Sequence, residues 1–268
     1  MARAARKKSR WKSALTVFAG VLLAWAGYEY VTLPEVGDLA KKNPPSTALM
    51  DQRAAEAKEA GKKAGKRQRW VSNEQIAKVA VDAVVLSEDA AFFQHHGVDK
   101  QEMKEAMEKA LEKGELGRGA STITMQLAKN LWLSTDRSVL RKLKELVLTQ
   151  RLEEGLTKTR ILNLYLNVAE WGDGIYGIEA GAQAHFGVSA ASLSAGQAVM
   201  LATMLPAPRK WLPSRKSKLH YQRALRLIEK LQAVGRISSG TAAQARDEVE
   251  SVLGSGKVSG DDDEPTDE

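Results

Sequence analysis

The chain has 268 residues, of which 43% are apolar and 27% are charged. This composition supports a packed core, and the absence of cysteine excludes disulfides and thiolate metal sites. Lysine and arginine outnumber aspartate and glutamate by 40 to 33, so the formal charge is +7 and an anionic partner is favoured. The charge is uneven, because residues 1–12 carry six cations and no acid, whereas six acids lie in residues 261–268.

An apolar segment follows the basic N-terminal tail. Residues 13–28 contain no charged side chain, and residues 13–33 together are about long enough to cross the core of a bilayer. Cations that precede such a segment usually stay in the cytoplasm, so we expect a single transmembrane anchor with the rest of the chain outside the cytoplasm. The alternative is a signal peptide that is cleaved near the Ala-Trp-Ala sequence at residues 24–26. Because the cations lie around this segment, no nucleic-acid partner is expected.

Residues 34–69 are predicted to form a stem between the anchor and the main domain. Pro34, Pro44 and Pro45 interrupt this region, and residues 53–69 hold seven cations and two acids. Such a basic run is either a solvated face or a contact with anionic lipid headgroups.

The main domain is predicted to cover residues 70–253 and to be mainly α-helical. Apolar residues recur there at spacings of three and four, as in Leu140, Leu143 and Val147. The final segment, residues 254–268, is rich in glycine, serine and acids and is predicted to be disordered.

Three polar segments interrupt the helical pattern, and the first covers residues 87–97. Glu88 lies among apolar neighbours such as Phe92, and desolvation of a carboxylate raises its pKa and makes it a better proton acceptor near neutral pH. The alternative is an ordinary helix end at which Asp89 or His95 satisfies backbone groups.

The second segment, residues 117–130, contains a glycine-flanked loop that enters a helix at Ser121 or Thr122. The exposed N–H groups of a helix start favour an anion. Thr122, Gln126 and Lys129 would share one face of that helix and form a polar stripe. The alternative is a capped helix with a solvated face.

The third segment places Arg141 and Glu145 four residues apart on one helix face. Alone, this pair is equally explained as a surface ion pair worth well under ~1 kcal/mol. Together, the three segments supply two glutamates, several cations and an anion-binding helix start. This set suits transfer from a phosphorylated donor, in which a base activates a hydroxyl and cations neutralise the leaving group.

The same segments resemble glycosyltransferase family 51, the peptidoglycan transglycosylases, in the family's order from about residue 70 to residue 213. The family shows the patterns E-D-x-x-F-x-x-H-x-G, G-x-S-T-I-T-x-Q-x-x-K-N, R-K-x-x-E and I-L-x-x-Y-L-N. Residues 167–174 look most like the monofunctional branch. The matching positions are Glu88, Asp89, Phe92, His95 and Gly97; Gly119, Ser121, Thr122, Ile123, Thr124, Gln126, Lys129 and Asn130; Arg141, Lys142 and Glu145; and Ile161, Leu162, Tyr165, Leu166 and Asn167.

The resemblance implies a lysozyme-like, mainly α-helical domain with a small membrane-facing jaw. It implies that Glu88 deprotonates the acceptor's sugar 4-hydroxyl, which attacks and inverts the donor anomeric carbon while undecaprenyl pyrophosphate leaves. Glu145 would be the second catalytic carboxylate and would organise the phosphate site or bind a divalent cation, Mg²⁺ or Mn²⁺. The implied substrate-binding residues are Asp89, Phe92, His95, Ser121, Thr122, Gln126, Lys129, Asn130 and Arg141.

The implied substrates are lipid II and the nascent glycan strand, with no organic cofactor. The implied location is the bacterial cytoplasmic membrane, with the N-terminus in the cytoplasm and the catalytic domain in the periplasm. Other cell-wall synthesis proteins are candidate partners. The chain departs from the family at Ala120, His185 and Gln197, where Gly, Tyr and Glu are common.

Two other functions remain open from the sequence. One is a lytic enzyme that cleaves the glycan strand with a single glutamate, although such chemistry has no pyrophosphate for Lys129 and Arg141 to bind. The other is a non-catalytic envelope scaffold.

The helix around residues 103–111 supports a separate hypothesis. Its apolar stripe is flanked by lysines, so it would lie at a membrane interface; the alternative is that Met103 and Met107 pack into the core.

Overall fold

A computed structural model of the chain describes residues 16–18, 20–21, 24–25, 27–113, 121–136 and 138–254. The chain divides into two compact units, Met1–Glu35 and Val36–Glu268. In the first unit the described residues from 16 to 32 are helical. Among the residues described, no helix combines the length and the apolarity that a membrane crossing requires. The basic tail, part of the predicted anchor and residues 255–268 of the predicted acidic tail lie outside the described residues.

The described residues of the second unit form ten α-helices and one pair of short strands. The strands β1 (Arg67–Gln68) and β2 (Ile175–Tyr176) are parallel, with Arg67 opposite Ile175. The prediction of a mainly α-helical domain is confirmed. The helices are α1 (Ala48–Glu59), α2 (Lys78–Glu88), α3 (Lys100–Lys113), α4 (Ile123–Trp132), α5 (Val139–Gly155), α6 (Lys158–Val168), α7 (Ile178–Phe186), α8 (Ala195–Met204), α9 (Lys218–Ala233) and α10 (Ser239–Leu253).

Serine and threonine mark where most of these helices begin. In each case the hydroxyl accepts a hydrogen bond from the backbone N–H three residues later, which satisfies one of the groups that a helix start leaves unpaired. The capping residues are Thr47, Thr122, Ser138, Thr157, Ser194, Ser217 and Ser238.

The core is organised around two central helices. Helix α8 is apolar on nearly every side and packs against α2, α9 and α10. Helix α4 packs against α1, α5 and α6. The end of α2 therefore belongs to one group of helices and α4 to the other, and the polar segments predicted to carry chemistry lie on these two elements.

The region predicted as a stem differs from the expectation, because its helix packs on the main domain. Leu49 and Met50 of α1 are buried, and α1 lies against α4. Lys58 in the last turn of α1, and Lys62 and Lys63 after it, are exposed. The stem and the main domain were expected to divide at residue 70. In the described fold α1 packs with the helices that follow residue 70, because the domain covers its apolar residues.

Helix α5 buries a different face from the one that apolar spacing alone favours. Leu143 is 56% exposed, whereas Glu145 is only 2% exposed. Leu148 and Leu152 complete the buried face. The apolar spacing was misleading here because two neighbouring cations allow a carboxylate to occupy the interior.

The residues that depart from the family pattern make structural contacts. Gln197 completes a capping box, in which its side chain accepts a hydrogen bond from Ser194 N and Ser194 Oγ accepts one from Gln197 N. Gln serves this role as well as Glu does. His185 Nε2 lies 2.5 Å from the carbonyl oxygen of Trp171. Ala120 lies outside the described residues.

We expect Gly177→Ala to lower the free energy of unfolding by about 1–3 kcal/mol, because Gly177 has a φ of +84° and an added Cβ would lie 2.8 Å from the carbonyl oxygen of Asn167. Gly187→Ala is the matched control, since Gly187 has a φ of +69° and open space around it. Urea denaturation of the two variants measures the difference. Equal losses would show that the close contact at Gly177 relaxes without cost.

Candidate active site

Glu88 is the last residue of α2 and lies at the junction of the two helix groups. Its carboxylate accepts hydrogen bonds from Gln126 Nε2 at 3.1 Å and from Ser87 Oγ at 3.4 Å. Burial raises the pKa of Glu88, although the hydrogen bond from Gln126 and the positive charge of Arg223 act in the opposite direction. A carboxylate with a raised pKa is suited to accept a proton near neutral pH.

Tyr165 on α6 fixes the amide that faces Glu88. The Tyr165 hydroxyl donates to Gln126 Oε1 at 2.8 Å, so the amide nitrogen is directed towards the carboxylate. Burial, together with the negative charges of Glu88 and Asp89, raises the pKa of Tyr165 well above its usual value, so the hydroxyl stays a donor. Tyr165 belongs to one of the matched family motifs, but the sequence alone assigns it no role.

The start of α4 is occupied by the protein's own carboxylate. Asp89 Oδ2 accepts a hydrogen bond from Ile123 N at 3.0 Å, and Thr122 Oγ1 accepts one from Met125 N at 3.2 Å. The N–H groups of Ile123 and Met125 are therefore not open to a ligand anion; residues 117–120 are not described.

Four predicted substrate-binding residues are instead packed inside the protein. Asp89 Oδ1 lies 2.8 Å from His95 Nε2, and Thr122 Oγ1 donates to the carbonyl oxygen of Gly97 at 2.6 Å. The Phe92 ring is fully buried, with Lys158 Nζ 4.4 Å from its centre. Asp89, Phe92, His95 and Thr122 thus hold the loop after α2 against the start of α4.

Helix α5 carries two cations that share one buried carboxylate. Arg141 Nη1 lies 2.6 Å from Glu145 Oε2, and Lys142 Nζ donates to Glu145 Oε1. Lys142 also lies 3.4 Å from the hydroxyl of Ser121, which is exposed. Arg141 Nε is buried and has no hydrogen-bond partner among the described residues.

Lys129 on α4 adds a third cation to this group. Burial lowers the pKa of Lys129; Glu145 raises it, and the positive charges of Arg141, Lys142 and Arg53 lower it further. Three cations thus face one carboxylate, an excess that suits an anion. The side chain of Asn130, the next residue, is partly buried.

The residues around Glu145 do not fit a divalent cation. Both carboxylate oxygens already contact a cationic side chain, and two such neighbours repel a metal ion. Within the described ranges, His, Cys, Asp and Glu form no group of three that could hold a metal. Mg²⁺ prefers carboxylate and phosphate oxygens that are not already neutralised.

Arg223 on α9 is a charged neighbour of Glu88 that the sequence analysis missed. Its guanidinium lies 5.1 Å from the ring centre of Trp211, which stacks on His220. Burial lowers the pKa of Arg223, and the charge of Glu88 raises it. In the sequence Arg223 looks like any cation of an amphipathic helix, and only the packing of α9 against α2 brings it near Glu88.

Several known proteins are similar to this chain in sequence. The family model described as Transglycosylase matches residues 54–232. A biosynthetic peptidoglycan transglycosylase of Janthinobacterium sp. (strain Marseille) is 46% identical over 175 residues, which cover 65% of this chain and 76% of the relative. A protein of the same name from Bordetella pertussis (strain Tohama I) is 40% identical over 239 residues, which cover 87% of this chain and 99% of the relative.

The chain belongs to the transglycosylase family. It is therefore an enzyme that transfers glycosyl groups, and the resemblance found in the motifs is confirmed.

We expect Glu88→Gln to raise the melting temperature at neutral pH. The pKa of Glu88 is higher in the folded state than in the unfolded state. The protonated carboxyl therefore stabilises the fold at low pH, and this stabilisation is lost as the pH rises through the folded-state pKa. The amide keeps the neutral form at every pH, so the gain should shrink as the pH falls towards the unfolded-state pKa. Thermal unfolding between acidic and neutral pH measures this difference.

The matched control is Glu59→Gln, which changes an exposed carboxylate at the end of α1 and should shift the melting temperature little. A Glu88→Gln protein that melts below the wild type at neutral pH would show that Gln126 and Arg223 outweigh burial.

Proposed function

We propose that this enzyme polymerises lipid II into peptidoglycan strands and releases undecaprenyl pyrophosphate. One observation carries the proposal: Gln126, which holds Glu88, and Lys129, which lies beside Arg141 and Lys142, are three residues apart on α4. Helix α4 thus contacts the proton acceptor Glu88 through Gln126 and contributes Lys129 to the group of cations that would bind an anion.

Glu88 acts as the general base of the transfer. Its carboxylate takes the proton of the acceptor's sugar 4-hydroxyl as that oxygen bonds to the donor anomeric carbon. The bond from the same carbon to the pyrophosphate oxygen breaks on the opposite face, so the configuration inverts. Gln126 and Tyr165 keep the carboxylate directed into the site.

Lys129 and Arg141 bind the pyrophosphate, and Glu145 keeps Arg141 and Lys142 in place. The negative charge on the leaving group grows as its bond breaks, and fixed cations in a partly desolvated site stabilise that charge strongly. Ser121 and Asn130 lie beside these cations and contact the phosphate side of the substrate. Arg141 and Lys142 already neutralise Glu145, so this carboxylate is not free to bind a metal. Side-chain cations compensate the charge of the pyrophosphate, and no step requires a metal.

Lytic cleavage of finished strands is the nearest alternative function. A glycan strand carries no pyrophosphate, and it would leave the excess charge of Lys129, Arg141 and Lys142 without a ligand. The cation group therefore favours synthesis over cleavage.

We further propose that the enzyme works at the outer face of the cytoplasmic membrane, in a lysozyme-like fold whose jaw faces the lipid. Val17, Phe18 and Val21 are exposed in the first unit, as expected of an anchor. In the second unit Met103 and Met107 are 43% and 59% exposed, so they do not pack into the core as the alternative required. Phe93, Val139 and Leu143 are also exposed apolar side chains.

Glu88→Gln should lower the rate of polymerisation about 100-fold or more, because the amide cannot accept the proton. Detergent-solubilised protein with labelled lipid II measures the rate, and lysozyme should digest the product. Glu105→Gln on α3, where Glu105 contacts only Gln101 among the described residues, is the control and should retain full activity. Consumption of finished peptidoglycan in place of lipid II would establish the lytic alternative, and an active Glu88→Gln protein would reject the proposed base.

The same assay is run with Mg²⁺ and with a chelator. We expect equal polymer yields, since the pyrophosphate charge is met by side chains. Loss of activity in the chelator would show that the cations of α4 and α5 are insufficient.

Met103→Asp with Met107→Asp should weaken binding of residues 36–268 to anionic vesicles about tenfold or more, because two charges replace apolar contacts with lipid. Vesicle sedimentation measures the binding. Val234→Asp is the matched control, since Val234 is 55% exposed on another helix end. Equal binding by all three proteins would exclude α3 from the membrane contact.

A further inference from the structure

Charge is strongly segregated in the C-terminal third of the chain. Residues 180–228 carry seven cations and no acid, whereas residues 261–268 carry six acids and no cation. Five of the seven cations belong to a basic loop, residues 209–218, which connects α8 to the start of α9. Opposite charges that are separated in this way along one chain attract each other wherever the fold brings them within reach.

The basic loop is held in place by its buried side chains. Trp211 is only 1% exposed, and its ring stacks on His220 with the two ring centres 6.2 Å apart. The Ser217 hydroxyl accepts a hydrogen bond from His220 N at 3.2 Å and caps α9. The cations of the loop are therefore attached to a backbone that is fixed before a ligand arrives, which lowers the entropic cost of binding one.

Three exposed cations of the loop form no ion pair with the residues that the structure describes. They are Arg215, Lys216 and Lys218. Arg209 differs, because its Nη1 lies 3.5 Å from Glu56 Oε2, an atom that Arg53 Nη1 contacts at 2.8 Å. The exposed side of the loop thus has a positive charge that the described part of the protein does not balance by direct contact.

The end of α10 brings the chain to the basic loop. The helix ends at Leu253, and a Cβ added to Gly254 would lie 3.6 Å from Lys216 Nζ. The acids begin seven residues further on, at Asp261, and seven residues span at most about 25 Å. The acids are therefore tethered close to Lys216, and a short tether gives an effective concentration on the order of 1 mM.

We propose that the basic loop is a docking surface for the acidic tail, residues 261–268, of the same chain. Carboxylates of the tail pair with Arg215, Lys216 and Lys218 and balance the charge of the loop. Each exposed ion pair is weak alone, so the number of charges and the tether give the contact its strength. The docked tail keeps other polyanions away from this surface, and salt weakens the contact.

A second exposed basic segment provides a matched comparison. Residues 62–69 also hold five cations and no acid. Lys66 Nζ donates to the carbonyl oxygen of Pro45 at 2.6 Å, and Arg69 Nη1 lies 3.7 Å from Glu179 Oε1. The position of Gly254 beside Lys216 favours the basic loop over this segment. A tail that contacts one and not the other distinguishes a specific surface from general attraction between charges.

Carbodiimide cross-linking of the full chain in a non-ionic detergent tests the contact, because this reagent joins a carboxylate to a lysine amine only where the two touch. Mass spectrometry should find the tail joined to Lys216 and Lys218 at least about fivefold more often than to Lys62 and Lys63. The yield should fall about fivefold or more at about 1 M salt, where the screening length is about 3 Å. Equal yields at the two basic segments, or no joined peptides, would overturn the proposal.

A mixture of isotope-labelled and unlabelled chains shows which copy supplies the tail. Docking within one chain requires that each cross-link carries a single label and that the yield does not change on dilution. Cross-links that combine the two labels would reject docking within one chain and would indicate a contact between two copies.

A fluorescent peptide of residues 255–268, added to the full chain at low salt, measures how well the tail shields the loop. A chain with Asp→Asn and Glu→Gln at the six acidic positions should bind the peptide about fivefold more tightly than wild type, whose own tail occupies the loop. Lys216→Gln/Lys218→Gln in that amide background should weaken the binding about threefold or more. Lys62→Gln/Lys63→Gln is the matched control and should leave the affinity unchanged.

Equal peptide affinity for the wild type and the amide chain would show that the tail leaves the loop uncovered, which rejects the proposal. A loss of affinity in the Lys62→Gln/Lys63→Gln control that matches the loss in Lys216→Gln/Lys218→Gln would reject the basic loop as the specific surface. None of these measurements depends on the reaction that the enzyme catalyses.

Discussion

A buried carboxylate with two cationic partners determines how α5 faces the rest of the protein. Glu145 lies inside because Arg141 and Lys142 neutralise it from the same helix. The cost of burying one charge is large unless a partner accompanies it, so the two cations must stay at the boundary between interior and solvent. The same rotation of the helix brings Leu143 to the surface. The position of Arg141 and Lys142 and the exposure of Leu143 on the same helix are thus consequences of one interaction.

Helix α4 connects this arrangement to the proton acceptor. Gln126 is fixed from behind by Tyr165 and donates to Glu88, and Lys129 lies one turn further along the helix. Asp89 and Thr122 use the first N–H groups of α4, which anchors the helix to the loop that follows Glu88. The residues expected to touch substrate therefore form two groups. Some, such as Ser121, are exposed, whereas Asp89 and Thr122 bind other parts of the protein and fix the backbone around the site.

The sequence predicted the features that depend on local spacing. The mainly helical fold and the grouping of Gln126 and Lys129 on one helix follow from short periodicities that a helix imposes. Contacts between distant segments could not be predicted in this way. Arg223 and Arg53 look like surface cations until α9 and α1 are packed, and the inward direction of Glu145 depends on charge compensation that hydrophobic periodicity does not detect.

Glu88 is held through Gln126, and Lys129 lies on the same helix, which has a consequence, under the proposed function, for how a polymer can grow. Three residues of an α-helix span about 4.5 Å along its axis, and an intact helix keeps this separation. The enzyme therefore cannot follow the lengthening product by moving one group relative to the other. Under the proposed function, the strand itself must slide by one disaccharide after each addition to bring a new reactive end between them.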